Sequence, residues 1–189
     1  TFIVDLAAMV LAQPRALLPA IGALMLGGGA ETVGILLAAT AAGSFLAGLF
    51  SGPLGLVRRQ GLAVMWSVVA WGLSVSAFGV VVVLAGEHDG GGVSPWLLPA
   101  ALAMGAAGIA DSISGVFRST ILQAATPDAM RGRLQGVFVV VVAGGPRLGD
   151  LVAGIDASFL GEGWAAVAGG LACALAVLVL ARMQPGFAR

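Results

Sequence analysis

Apolar residues run along the chain in six long stretches, near 2–26, 33–57, 62–85, 95–117, 134–158 and 163–182. Each is close to the ~20 mainly apolar residues that a helix needs to cross a hydrocarbon layer of about 30 Å. Backbone inside a bilayer must satisfy its own N–H and C=O groups, so the six stretches predict membrane-spanning helices. The polar segments between them alternate in charge. Arg58 and Arg59 follow the second stretch, Arg118, Arg131 and Arg133 the fourth, and Arg182 and Arg189 the sixth. Glu31, then Glu87, His88 and Asp89, then Glu162 mark the other three connections, without an arginine among them. The excess of basic residues in short cytoplasmic loops puts the arginine-bearing ends inside, so both ends of the chain are expected in the cytoplasm of an inner (cell) membrane protein. Trp96 and Trp164 then fall at the outer starts of their helices, where indole suits the interface.

Composition sharpens this picture. The chain has 189 residues, of which 59% are hydrophobic and 10% charged, against roughly 25% charged in soluble domains. Too few polar residues exist to clothe a soluble exterior, and a soluble bundle has no need of alternating loop charge. The lipid bilayer is the expected surrounding. With a formal net charge of zero and no basic stripe carrying aromatics, nucleic acid is not an expected partner. Cys173 stands alone, so neither a disulfide nor a thiolate metal cluster can be built. There is no HExxH, no phosphate-cradling GxxxxGK[ST] and no nucleophile with its base, so neither an enzyme, a cofactor nor a metal is expected. No ring-forming filter sequence suggests a channel. His88 and the run Gly90–Gly92 read as a solvated, flexible loop. The chain opens at Thr1 and its first apolar stretch contains Asp5, Gln13, Pro14 and Arg15, unlike the core of a signal peptide, so Thr1 reads as a cut edge.

Helices in lipid gain nothing hydrophobic by associating, and small residues that let backbones approach are expected at their contacts. Ala39, Gly43 and Ala47 form one such stripe, Gly48 and Gly52 another, with Gly105 and Gly108 in the fourth helix and Ala165 and Gly169 in the sixth. Prolines are expected to break the first helix at Pro14 and Pro19 and the fifth at Gly144–Pro146, freeing backbone groups toward a cavity. Thr126, Pro127 and Asp128 have the chemistry of a helix start. The fifth helix is expected to begin there, with 130–136 as a turn that keeps its arginines at the headgroups.

The sharpest chemistry lies in ionisable residues inside the spans, each costing about 2.5–3.5 kcal/mol at a helix centre. Arg147 and Asp150 are three residues apart and can pair; their stripe, with Gly136, Val140, Ala143 and Gly154, is expected to face protein or a cavity. Asp111 precedes Arg118 by two turns, too far for an easy pair, and the hydroxyls of Ser112 and Ser114 are expected to bond nearby backbone. Arg15 falls mid-membrane beside Gln13, and Asp5 near the cytoplasmic end. Asp5, Arg15, Asp111, Arg147 and Asp150 are the candidates for a substrate or proton pathway. Arg58, Arg59, Arg118, Asp128, Arg131 and Arg133 are candidates for a cytoplasmic loop or gate. A purely structural role, as packing anchors or headgroup contacts, stays open for all of them.

The run RSTILQAATPDAMRGRLQG, Arg118 to Gly136, followed by AGGPRLGDLVAG, resembles the connection between helices ten and eleven in the enterobactin-exporter-like and multidrug-exporter branch of the major facilitator superfamily. DLAAMVLAQPRALLPA, Asp5 to Ala20, is similar to the start of helix seven. GPLGLVRRQG, Gly52 to Gly61, resembles the weaker copy of the family's loop signature, with Leu56 near the place of the usual acidic residue. The resemblance implies an all-α integral membrane fold, the chain forming one domain over 1–189: a C-terminal six-helix half built of two three-helix repeats. It further implies a partner N-terminal six-helix half, and proton-coupled export of a small organic molecule such as a siderophore or drug. The alternative is a truncated or half-size membrane protein that does not transport and whose buried charges serve packing.

Overall fold

A computed structural model describes residues 9–52, 54, 57, 59–87, 92–125 and 130–183. Among these the structure is helical. The first helix, α1, spans Met9–Leu24 and is interrupted at Ala12 and Gln13, continuing as a 3-10 turn Pro14–Leu17 and a regular segment Leu18–Leu24. It is followed by α2 (Ala30–Leu49), α3 (Gln60–Ala85), α4 (Leu97–Ala125), α5 (Arg131–Leu160) and α6 (Glu162–Met183). Four of them, α2, α3, α4 and α6, are long and apolar enough to cross a membrane. The longest, α5, has 30 residues, about 45 Å at 1.5 Å per residue, but carries Arg131, Arg133, Arg147, Asp150 and Asp156. The chain is therefore an all-helical, membrane-embedded, multi-pass protein.

Several helix limits depart from the hydrophobic windows for identifiable reasons. The fourth window ends at 117, yet α4 runs to Ala125, because helix formation does not stop where apolar residues do. Ser119 and Thr120 bond back to Gly115 O and Val116 O at 2.9 Å each. The segment expected as a turn after Met130 is instead the opening of α5; Thr126 to Asp128 lie outside the described residues. Pro146 was expected to break the fifth helix, but α5 continues through it. The first helix does break, where Pro14 withholds the amide that Val10 O would accept and Gln13 turns extended (φ −103°, ψ 94°).

Glycine sets the helix spacing. Side chains at Gly43 and Gly108 would collide with the backbone carbonyls of Gly105 and Thr40, so α2 and α4 run in parallel with their backbones touching. Ser44 Oγ donates across that seam to Gly108 O at 3.1 Å. Between α3 and α6, Gly72 faces Gly170 O and Gly79 faces Gly163 O. Ser76 Oγ lies 3.0 Å from Gly72 O and 3.2 Å from Val167 O, so its one proton is shared between the two helices. Gly169 lies against Leu11 O and Gly149 against Met9 O, which seats the broken part of α1 between α5 and α6. The expected second stripe, Gly48 and Gly52, is not used among the described residues: a side chain added at either position would meet nothing within 4 Å there.

Two apolar clusters fill the bundle. Val64, Val68, Phe117, Cys173 and Val177 form one near the ends that carry arginine, and Leu18, Ile21, Leu36, Phe78 and Val82 form the other near the acidic ends. At the acidic end the α1–α2 turn takes three successive glycines with positive φ, Gly27 to Gly29 (68°, 70° and 55°), a conformation costly for other residues. Thr32 Oγ1 donates to Gly27 O at 2.5 Å, and Ser94 N donates to Leu26 O at 2.8 Å, tying this turn to the start of α4.

Candidate functional site

The break in α1 opens a cavity of about 260 Å³. Met9, Gln13, Pro14 and Arg15 border it from α1, and Thr40 from α2. Val68 and Trp71 border it from α3, Asp111, Ser114 and Arg118 from α4, and Pro146 from α5. Five of the six helices thus contribute, and three of their residues are charged. The carbonyl-rich break explains why polar groups collect here: an uninterrupted helix would turn its backbone inward on itself and present only side chains.

Asp111 and Arg118 do pair, contrary to expectation, with Arg118 Nη2 3.3 Å from Asp111 Oδ1. Side chains lean toward the N-terminus of their helix, and the long arginine stem spans the two turns. The pair is lopsided: the Arg118 side chain is 10% exposed and that of Asp111 64%. The cation is held in the protein and the carboxylate is offered to the cavity. Arg15 lines the same cavity from the opposite helix. Ser114 Oγ is buried without a hydrogen-bond partner among the described residues, where a backbone bond was expected; a hydroxyl so placed retains a proton for a guest or a water.

The other candidates are placed differently. Arg147 and Asp150 form no ion pair with each other among the described residues. Their stripe does not face the bundle: Arg147, Gly136, Ala143 and Gly154 are exposed, as is Val140 at 71%. The face of α5 that packs holds Gly145 and Gly149, which meet Met9 and Gln13. Asp150 is half-buried and its Oδ1 lacks a partner among the described residues. Arg59 and Arg133 are exposed at the starts of α3 and α5. Asp5, Arg58, Asp128 and the Arg131 side chain lie outside the described residues. Trp71 and Asp156 escaped the sequence reading. The first could have been suspected as a tryptophan far from any helix end, the second as a further ionisable residue inside the window 134–158.

No protein-family model and no solved structure matches the chain. Its sequence is 31% identical over 141 residues to the enterobactin exporter EntS of Citrobacter koseri, a match covering 74% of this chain and 31% of that protein. It is 28% identical over 125 residues to the EntS of an Escherichia coli strain, covering 66% of this chain and 27% of that protein. The Shigella flexneri EntS is 27% identical over the same share of each chain. The chain thus matches less than a third of the length of these relatives. With the similarity spread over most of its own length and its apolar helices packed around a charged cavity, the chain belongs to the enterobactin-exporter-like branch of the major facilitator superfamily.

Proposed function

We propose that this chain is the substrate-binding C-terminal half of a proton-coupled exporter for a small organic molecule, a siderophore such as enterobactin or a lipophilic drug. It would lie in the inner membrane with both ends in the cytoplasm and act with a second six-helix half. The observation that carries the reading is the convergence of Arg15, Asp111 and Arg118 on one cavity at a broken helix. Embedded charges beside irregular backbone are what an ion or substrate path through a membrane requires.

The second half is supported by what α2 and α5 leave uncovered. Arg147 is exposed near the middle of α5, where contact with hydrocarbon costs about 2.5–3.5 kcal/mol. Around it, a side chain added at Gly136, Gly144 or Gly154 would meet nothing within 4 Å among the described residues, and the same holds for Gly34 and Gly48 on α2. Small residues flanking a charge suit close contact with protein. The relatives' additional length has room for such a half.

Enterobactin flux through proteoliposomes that contain this chain together with a second half tests the reading. Arg15→Gln should lower the flux at least tenfold, about 1.4 kcal/mol, without reducing the protein inserted. Undiminished flux in the variant would remove the cavity from the path, and absence of flux in the unmodified pair would refute transport itself.

A further inference from the structure

The ion pair at the cavity is unevenly built. The Arg118 side chain is covered by protein, whereas the Asp111 carboxylate that it meets is largely exposed. A covered cation needs an anion, because breaking a buried pair leaves an uncompensated charge. An exposed carboxylate gains little from pairing, since water serves it nearly as well. Their separation of 3.3 Å is also longer than the ~2.7–2.9 Å of a strong charge-assisted bond. Asp111 therefore holds Arg118 loosely. Between them on the same face of α4 stands Ser114, three residues after Asp111 and four before Arg118. Ser114 is 1% exposed, and its Oγ has no hydrogen-bond partner among the described residues. The arginine stem passes this turn on its way back to Asp111, and Arg118 Nη2 lies 3.9 Å from where a side chain on Gly115 would begin. Arg15 brings a second guanidinium to the same space from α1, and Met9, Val68, Trp71 and Met104 give it apolar walls. Two cations, a loosely held carboxylate and an unused hydroxyl make an anion seat that the chain fills with its own side chain.

We propose that the cavity binds an aromatic organic anion, whose oxyanion replaces Asp111 on Arg118 and accepts a hydrogen bond from Ser114 Oγ, and that Asp111 is the built-in competitor that keeps this binding weak. The ring of the guest lies against Trp71 and the methionines, which suit an aromatic face. A volume of about 260 Å³ is below the ~300–1,000 Å³ of sites for drug-sized ligands, so the seat takes one aromatic group and not the whole of a large molecule. Two guanidiniums against one carboxylate among the lining residues favour an anion over a lipophilic cation. When the guest leaves, the exposed Asp111 carboxylate is at hand to take back Arg118, so release leaves no bare charge behind. That the guest is the exported molecule rests on the function proposed above; its binding does not.

Equilibrium dialysis of radiolabelled salicylate against this chain in lipid nanodiscs at neutral pH, corrected with empty discs, tests the seat. Salicylate should bind saturably, and salicylamide and benzylamine, a neutral and a cationic ring compound of similar size, should compete at least about tenfold less well. Asp111→Asn should tighten salicylate binding about tenfold by removing the competitor. Glu162→Gln makes the same change of charge at the start of α6, away from the cavity, and should leave the affinity within about twofold. Ser114→Ala, which serves should Asp111→Asn not fold, should weaken binding about fivefold through the lost hydrogen bond to the anion. The seat is overturned by absence of saturable binding, or by salicylamide or benzylamine binding as tightly as salicylate. It is equally overturned by an affinity that Asp111→Asn fails to raise, that Glu162→Gln raises as much, or that Ser114→Ala leaves untouched. No transport is read here, so enterobactin flux can fail while the seat stands, and the seat can fail while flux stands.

Discussion

A charge survives in an apolar helix when its neighbours replace the water it has lost, and the three charges at the cavity do this in different ways. Arg118 is covered by protein and reaches back along its own helix to Asp111 at 3.3 Å, while Asp111 and Arg15 keep contact with the cavity. Asp111→Asn leaves a covered guanidinium short of one anion. The loss should be about 1–2 kcal/mol, between the ~0–1 of exposed pairs and the ~3–5 of buried ones. Thermal unfolding in detergent would register it as a lower midpoint, and an unchanged midpoint would mean that the pair contributes no stability. The presence of these charges was legible from sequence, since each interrupts an apolar run. Their partners were not. Helical spacing suggested Arg147 with Asp150 and disfavoured Asp111 with Arg118, and the structure shows the reverse. Spacing measures distance between backbones, whereas a pair is decided by side-chain length and by which neighbours compete.

At the level of the helices, the closeness of α2 and α4 depends on two glycines whose missing side chains are replaced by a neighbour's backbone. Gly108→Ala would push against the Thr40 carbonyl, which cannot yield as a flexible side chain can. A loss of about 1–3 kcal/mol is expected from such overpacking. Gly48→Ala meets nothing within 4 Å and should change stability by less than about 0.5 kcal/mol. Unfolding of the two variants side by side checks the contrast, and equal losses would contradict the packing described. Sequence announced that small residues matter but not which stripe is used. Lipid and protein are equally apolar to a helix, so the pattern that separates core from solvent in a soluble protein is largely missing here. The continuity of α5 through Pro146 escaped for a related reason: a proline costs a helix about 3 kcal/mol locally, but packing of Gly145 and Gly149 against α1 offsets that cost.

Taken whole, the six helices among the described residues form a bundle with two apolar clusters inside and one side left uncovered. The exposed stripe of α5 around Arg147 and the uncovered glycines of α2 belong, in the proposed account, against the second half. Arg147→Gln should then separate two properties. Alone in a membrane mimic, the variant should be as stable as the unmodified chain or more so, because an exposed charge has been removed. Mixed with the second half, it should co-purify at least tenfold less well. Unchanged association would remove Arg147 from the seam.

The central claim is that the cavity at the break in α1 holds the exported molecule. Thr40 borders that cavity and is half-buried, so a Thr40→Cys chain, with Cys173 replaced by serine, offers one reporter thiol within it. In the assembled transporter, a membrane-impermeant methanethiosulfonate reagent should label this thiol, and saturating enterobactin should slow the labelling at least tenfold. Labelling at the same rate with and without enterobactin would contradict the account.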